Sequence, residues 1–271
     1  MDGARSGGTD GAEAAGPGPG PGPGDPGFPV YHAPRCAGLG ELDALVAGCR
    51  ACPRLVAWRE EVAEVRRAAF QDEDYWARPV PGFGPPDAAV AVVGLAPAAH
   101  GGNRTGRMFT GDAAGDFLFE ALHTVGLASQ PSSVHAGDGL TLRGVRLTSP
   151  VHCAPPANKP TPGERDTCRA WLAAELDLLG PGLRAVVVLG GFGWQALLPV
   201  LAEAGWRVPR PRPAFGHGAH VVLPATERRQ ELRLFGSYHP SQRNTFTGRL
   251  TMPMLVDVLR EAAEAGGLPT S

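Results

Sequence analysis

Three short segments of this sequence combine side chains that can do chemistry with glycines and prolines that keep the backbone irregular. Residues 94–109 read GLAPAAHGGNRTGRMF, residues 151–159 read VHCAPPANK, and residues 239–244 read HPSQRN. Glycine lets backbone amides approach a bound group closely, imidazole and amide groups can hold water or a polar ligand, and a phenylalanine ring can stack on a planar one. The three segments together predict a ligand-binding and catalytic site.

Four of the five cysteines have the spacing of metal ligands. Cys49 and Cys52 form a C-x2-C pair followed by a proline, and Cys153 and Cys168 lie far downstream on either side of a proline-rich stretch. On spacing alone, four thiolates suit zinc and an iron–sulfur cluster equally well. The alternative is that Cys153 and Cys168 are ordinary buried thiols. Cys36 has no partner and is interpreted as a bystander.

Alternating strands and helices must position these segments. Short apolar runs predict strands at 89–93, 145–149, 184–189, 219–223 and 232–236, and apolar residues at helical spacing predict helices at 39–49, 54–70, 112–125, 169–179, 190–201 and 250–262. This alternation indicates an α/β fold of three layers, α/β/α, whose central layer is a mostly parallel sheet of four to five strands. The three segments then lie at the carboxyl ends of strands, where such folds bind ligands. The helix from residue 112 would point its amino end, which favours anions such as phosphate, at the bound group.

Charge and composition exclude some functional classes. A formal net charge of −2 over 271 residues argues against a uniformly basic nucleic-acid binder, although removing the acidic first 34 residues leaves about +1. Those residues contain the tract AAGPGPGPGPGDPGFP and are predicted to be a disordered extension, which leaves 35–271 as one domain. They lack a basic start followed by an apolar core, so we expect neither a signal nor a membrane anchor and place the protein in the cytoplasm. Lys159 is the only lysine, so phosphate contacts would fall mainly to arginine and backbone amides.

Taken together, the three segments resemble the uracil-DNA glycosylase superfamily, and most closely its family 5, or type b, branch of iron–sulfur enzymes. GLAPAAHG, the C-x2-C pair with two later cysteines, and HPS followed by TGRLT occur here in the family's order. The resemblance implies a monomeric DNA-repair enzyme that flips uracil out of DNA and hydrolyses its N-glycosidic bond, leaving an abasic site. It also implies excision of other deaminated or damaged bases, namely hydroxymethyluracil, ethenocytosine and hypoxanthine. The sequence shows no ATP or nicotinamide fingerprint, so we expect no soluble cofactor, and we expect no membrane partner.

The resemblance further assigns roles to individual residues. Ala96 and Ser149 stand where most branches carry a polar group that activates water and an asparagine that reads the base, and both departures are typical of family 5. Catalysis would then fall to Asn103, Asn158 and His239. The implied base pocket comprises Gly94, Ala96, Pro97, His100, Gly101, Ser149 and the stacking ring of Phe109. The implied DNA contacts are Arg104, Lys159, Pro240, Ser241, Gln242 and Arg243. The implied ligands of a [4Fe-4S] cluster, favoured over zinc by the family alone, are Cys49, Cys52, Cys153 and Cys168.

Two other functional classes remain open at this stage. A related branch binds uracil-DNA covalently through a histidine in an added basic loop, but here MFTGDAAGDF runs straight into a predicted helix, so no such loop is seen. A structural zinc or iron–sulfur module with a redox function is the third class. Individual residues also have plainer interpretations: His100 as a loop cap, Asn158 as a turn residue and Phe109 as part of the core.

Overall fold

A computed structural model describes residues 20–270, and five strands of this region form a single sheet. The strands are β1 (Val90–Val93), β2 (Val145–Thr148), β3 (Ala185–Leu189), β4 (His220–Leu223) and β5 (Leu232–Ser237). Their order is β2-β1-β3-β5-β4, with parallel pairing throughout except for the antiparallel edge strand β4. This mostly parallel five-stranded sheet confirms the predicted fold class.

The register of the strands brings the predicted loops to one edge. Val93, the last residue of β1, pairs with Thr148 of β2 and with Val188 of β3. One residue further along β3, Leu189 pairs with Ser237 at the end of β5. Because these parallel strands end at the same level, the segments that follow β1, β2 and β5 all leave from the carboxyl edge of the sheet.

Helices cover both faces of the sheet, so the side chains of β1 and β3 are buried on both faces. One face packs on α2 (Leu39–Gly48), α6 (Pro162–Leu179) and α7 (Gly191–Glu203), and the other on α5 (Ala113–Thr124) and α9 (Met252–Ala265). The remaining helices are α1 (Phe28–His32), α3 (Pro53–Val65), α4 (Gly102–Thr105) and α8 (Gln242–Phe246). Within the described region, none of the helices has the length and apolar character needed to span a membrane.

Helix α6 begins seven residues before its predicted start. The Thr161 hydroxyl accepts a hydrogen bond from the amide of Glu164 (3.2 Å), and the Glu164 carboxylate accepts one from the amide of Thr161 (2.7 Å). This capping box satisfies free amide groups of the first turn and fixes the start of the helix there. As a result Cys168 lies within the second turn of α6 rather than before it.

The amino-terminal segment differs from its prediction over part of its length. Residues 1–19 of the predicted extension lie outside the described residues. Residues 20–34, also expected to be disordered, include α1, whose Phe28 ring is 6% exposed and meets Trp171 of α6 edge-on with the ring centroids 5.8 Å apart. The prediction was wrong for α1 because the proline and glycine content hid one aromatic side chain that the core can bury.

Candidate active site

A cavity of about 790 Å³ opens at the carboxyl edge of the sheet, and all three predicted loops contribute to its wall. Of the residues expected at the site, it is lined by Ala96, Pro97, His100, Gly101, Phe109, Ser149, Asn158, His239, Ser241, Gln242 and Arg243. Segments separated by as many as 143 residues (96 to 239) thus share one space. The other expected site residues lie behind this wall or beside it.

Phe109 is held in an unusual backbone conformation that projects its ring into the cavity. Its φ of 53° lies in the left-handed region, which is rare for a bulky side chain. Gly115 permits this turn, since a Cβ there would lie 1.8 Å from the Phe109 carbonyl oxygen. The ring faces the imidazole of His239, with the centroids 6.5 Å apart and the planes 34° from parallel. Phe109 and His239 therefore form two walls of one space.

His239 follows β5 and is uncharged at neutral pH. Burial lowers the pKa of its imidazole to about 4, because the charged form loses its hydration there. The backbone around it is fixed, since the Asn244 side-chain amide donates a hydrogen bond to the His239 carbonyl (2.8 Å). A neutral imidazole keeps one N–H group, so it can donate a hydrogen bond to a ligand without carrying a charge.

Asp112 is a wall residue that the sequence analysis did not select. Its Oδ1 accepts hydrogen bonds from the amides of Ala114 (3.0 Å) and Gly115 (2.9 Å) at the start of α5. Its Oδ2 lies over Gly101, where a Cβ would come within 2.2 Å of that oxygen. Burial raises the pKa of the carboxyl group against the opposing effect of the two amides. Asp112 is the only carboxylate among the residues that line this cavity.

Asp112 also corrects the expectation that the amino end of α5 binds an anionic ligand. Its own carboxylate already occupies the free amides that such an anion would use. The signal in the sequence was present: an aspartate directly before an apolar helical stretch is a typical N-cap. What the pattern could not give was that this cap residue lies on the wall of the cavity.

His100 is anchored by a residue from outside the three loops. The Tyr75 hydroxyl lies 3.0 Å from His100 Nδ1, and burial together with the positive charges of Arg67 and Arg104 lowers the pKa of the imidazole. Arg67 and Phe70, in the irregular segment after α3, also line the cavity. The sequence analysis did not select these two residues for the site, because it placed them in a helix continuing to residue 70. In the structure that helix ends at Val65.

Asn103 and Arg104 do not lie where the prediction needed them. Asn103 is fully buried behind the wall, where its Nδ2 donates to the carbonyl of Arg59 (3.2 Å). The Arg104 guanidinium is buried over the ring of Phe70, 3.9 Å from its centroid, and is paired with Glu73. The short helix α4 directs both side chains inward. They hold the first loop in place, and Arg104 is not available to contact DNA.

Some residues of the second and third loops line the cavity, and others lie outside its wall. Ser149 is buried and donates its hydroxyl to the Val151 carbonyl (2.9 Å). Asn158 is exposed at the cavity with a φ of 55°, a conformation that asparagine tolerates better than most residues. Lys159 beside it is exposed without lining the cavity, and Pro240 is buried. Gly94 also lies outside the wall, directly beneath the ring of Phe109.

The four candidate metal ligands meet in a second, narrow cavity between α3, α6 and the second loop. Cys49, Cys52, Cys153 and Cys168 all line it. Among the described residues, no three His, Cys, Asp or Glu side chains are arranged to hold a single metal ion. Burial raises the pKa of the Cys153 thiol to about 12, against the opposing effect of the Arg59 guanidinium.

A buried arginine contacts one of the cysteines of this second cavity. Arg59 is 1% exposed, and its Nη1 donates to Cys153 Sγ (3.1 Å) and to the Cys49 carbonyl (3.3 Å). It takes part in none of the ion pairs found within residues 20–270. This cation, without a carboxylate at ion-pair distance, leaves positive charge beside the Cys153 sulfur atom.

Known proteins with similar sequences share the region that forms the cavity. The profile of the Uracil DNA glycosylase superfamily matches residues 81–263, which include all three loops. A type-5 uracil-DNA glycosylase of Mycobacterium tuberculosis is 55% identical over 228 residues, covering 84% of this chain and 82% of that protein. Its counterpart in Thermus thermophilus is 53% identical over 223 residues (82% and 96%), and that of Pyrobaculum aerophilum is 48% identical over 222 residues (82% and 91%).

Proposed function

The chain belongs to the uracil DNA glycosylase superfamily, and on that premise we propose that it excises uracil from DNA as a step of base-excision repair. It is a hydrolase of N-glycosidic bonds, as are the type-5 uracil-DNA glycosylases to which it is similar. The observation that carries the proposal is the arrangement of Phe109 opposite a neutral His239, with the Asp112 carboxylate on the wall of the same cavity.

The cavity fits a base that has been rotated out of the double helix. A base within the duplex cannot reach these side chains, so the nucleotide must be flipped at a cost of about a few kcal/mol in stacking and pairing. The ring of Phe109 replaces part of the lost stacking. Ser241, Gln242 and Arg243 line the cavity, and in this proposal they contact the DNA on either side of the flipped nucleotide.

Cleavage of the N-glycosidic bond separates charge, and His239 and Asp112 each stabilise one of the two charges. When the bond between C1′ and N1 breaks, its electron pair stays with uracil, and positive charge develops on the sugar. The neutral N–H of His239 donates a hydrogen bond to the developing uracil anion, and a preorganised donor of this kind is worth about 10²–10³ in rate. The carboxylate of Asp112 stabilises the positive charge on the sugar.

Water completes the reaction at C1′. The free Oδ2 of Asp112 accepts a proton from the attacking water, whose oxygen forms the new bond to the sugar, and that proton passes on to the departing base. Asn158, exposed on the same cavity, is the amide placed to hold this water. Asn103 is excluded from direct contact because it lies behind the wall.

We propose a substrate range wider than uracil. Ala96 offers no polar group to the base, and the hydroxyl of Ser149 is engaged with the Val151 carbonyl. Pockets discriminate strongly when their polar groups are left unpaired by the wrong substrate, and neither residue 96 nor residue 149 supplies a free hydroxyl donor here. Hydroxymethyluracil, ethenocytosine and hypoxanthine are the bases we expect to be removed, each removal leaving an abasic site.

We also propose that Cys49, Cys52, Cys153 and Cys168 hold a [4Fe-4S] cluster. Their convergence on one narrow cavity fits four ligands of a single cluster. Bound thiolates would also supply the negative charge that the buried Arg59 requires. When present, the cluster supplies a covalent tie between α6, the second loop and the start of α3, next to the proposed DNA surface.

The test is excision from labelled duplexes that contain one uracil, hydroxymethyluracil, hypoxanthine or ethenocytosine, with alkali used to cut the abasic strand. Cut strands in excess over enzyme are the expected result. A protein–DNA product that survives denaturation would indicate covalent trapping instead of turnover. If none of the four bases gives a product, the proposal is refuted. The monomeric state and the cytoplasmic location remain predictions, for which gel filtration and fractionation of cells are the direct measurements.

A further inference from the structure

Phe246 is an exposed aromatic side chain on the helix that follows the active-site histidine. It is 80% exposed, more than the other exposed large hydrophobic side chains of the described chain, of which Val65 comes next at 72%. It ends α8, whose first residues, Gln242 and Arg243, line the mouth of the cavity. An aromatic ring kept in water at this place has no function in the core.

The geometry of α8 directs Phe246 toward the same side as the cavity mouth. Phe246 lies four residues after Gln242 and three after Arg243, so the three side chains share one face of the helix. The opposite face is fixed: the Asn244 side chain donates to the His239 carbonyl (2.8 Å), and the Asn244 carbonyl accepts from the Leu250 amide (3.0 Å). The helix therefore cannot roll to bury the ring, and the position of Phe246 is tied to that of His239.

The charges around Phe246 suit a nucleic acid. Arg243 and Arg249 are both exposed, and no aspartate or glutamate occurs between residues 239 and 256. The Arg249 guanidinium lies over the ring of Tyr238, 4.5 Å from its centroid, which keeps it close to the third loop. An aromatic ring flanked by cations is the combination with which proteins stack on bases and track the phosphate backbone.

We propose that Phe246 is a second DNA contact, which stacks on a base exposed beside the flipped nucleotide. This inference rests on the proposed function, because flipping is what exposes a base face within a duplex. Residues 241–243 would fill the space that the flipped nucleotide leaves, while Phe246 covers the neighbouring base step. The contact adds no group to the chemistry; it stabilises the distorted duplex and so acts on binding.

The test compares Phe246→Ala and Phe246→Trp with the wild type and with the control Val222→Ala. Val222 is also exposed, but it pairs with Arg233 near the start of β5, away from the carboxyl edge of the sheet. The first probe is a duplex with a tetrahydrofuran abasic analogue, for which Kd is measured. The second is a uracil duplex with 2-aminopurine next to the uracil, whose fluorescence reports on stacking.

We expect Phe246→Ala to raise Kd for the duplex about tenfold, on the scale of losing one stacked base, and to abolish the fluorescence change. Phe246→Trp retains both, Val222→Ala matches the wild type, and the single-turnover rate at saturating enzyme changes less than twofold in every variant. If Phe246→Ala binds the duplex within twofold of the wild type, the inference is wrong even though excision continues. A wild type that excises no base refutes the proposed function instead. An equal loss of affinity for single-stranded and duplex DNA would also overturn the inference, because only a duplex has a base step to open.

Discussion

The ring of Phe109 lies so close to Gly94 that a Cβ at residue 94 would come within 2.5 Å of the ring's Cζ. Gly94 is the first residue after β1, so the end of a buried strand supports the stacking ring directly. The strand's position in the sheet thereby sets how far the ring reaches toward His239. A glycine with no role in the chemistry thus determines the width of the cavity.

Substituting Gly94 by alanine is therefore expected to displace the ring of Phe109. The new methyl group forces the ring toward His239, narrows the base site, and lowers stability by about 1–3 kcal/mol, the usual cost of overpacking. We expect KM for uracil duplexes to rise and the melting temperature to fall. Gly163→Ala, at a helical glycine whose Cβ would meet open space, is the matched control and should leave KM unchanged without lowering the melting temperature. Normal KM for Gly94→Ala would show that the ring is not held by this contact.

Substituting His239 by alanine should lower the rate of uracil excision by about 10² or more, the effect of losing one donor to the developing anion. Because burial lowers the pKa of His239 to about 4, the imidazole stays neutral as the pH falls from 8 to 5.5. The ratio of wild-type to His239→Ala rates, measured in single turnover, should therefore be constant over that range. A change in the ratio with a midpoint near pH 6.5 would mean that the imidazole titrates normally and is not buried in the working enzyme.

Asp112→Asn should lower the excision rate by about 10² or more through loss of the proton acceptor. Asparagine is as good an N-cap as aspartate, so α5 and DNA binding should be preserved. The pKa of Asp112 is raised above its ordinary value, so the wild-type rate should fall on acidification as the carboxylate gains its proton, and the variant should lack this decline. Asp116→Asn, one turn further along α5 and exposed, is the control. A variant with the wild-type rate would remove Asp112 from the reaction.

Substitutions of Arg104 and Arg243 should differ in how they change the salt dependence of DNA affinity. Arg243→Ala removes an exposed cation at the cavity mouth, so DNA affinity should fall and its logarithmic salt slope should decrease by about 1. Arg104→Ala removes a buried guanidinium that packs on Phe70 and pairs with the exposed Glu73, so it should lower the melting temperature and leave the salt slope unchanged. A reduced slope for Arg104→Ala would place this arginine on the DNA after all.

Cys168→Ser should lower the iron and sulfide content of purified protein and its visible absorbance, because serine is a poor substitute for a cluster thiolate. Cys36→Ser is the control, since Cys36 does not line the cavity of the other four cysteines. We expect the loss to reduce solubility and DNA affinity before it changes the rate of bond cleavage. Zinc instead of iron in the wild type, or full iron content in Cys168→Ser, would contradict the proposed cluster.

Local pattern was sufficient for the sheet and for the loops at its edge. The run from Val90 to Val93 is apolar enough to be buried on both faces, and the glycines that follow it end the strand, so the position of the first loop follows from neighbouring residues alone. The cysteine spacing and the HPS segment are likewise contiguous features. For the same reason the family could be recognised from the sequence, since its motifs are runs of adjacent residues.

Tertiary contacts decided which residues within each loop face the cavity. Asn103 was expected at the reacting atoms, but its direction depends on the carbonyl of Arg59, 44 residues earlier, and that of Arg104 on Glu73. Asp112 was readable as a cap, yet its access to the cavity depends on Gly101 and on the position of the whole first loop. The sequence therefore determined where the chemistry lies, because strands and motifs are local. Only the fold determined which side chains perform it, because burial and orientation are set by residues far apart in the chain.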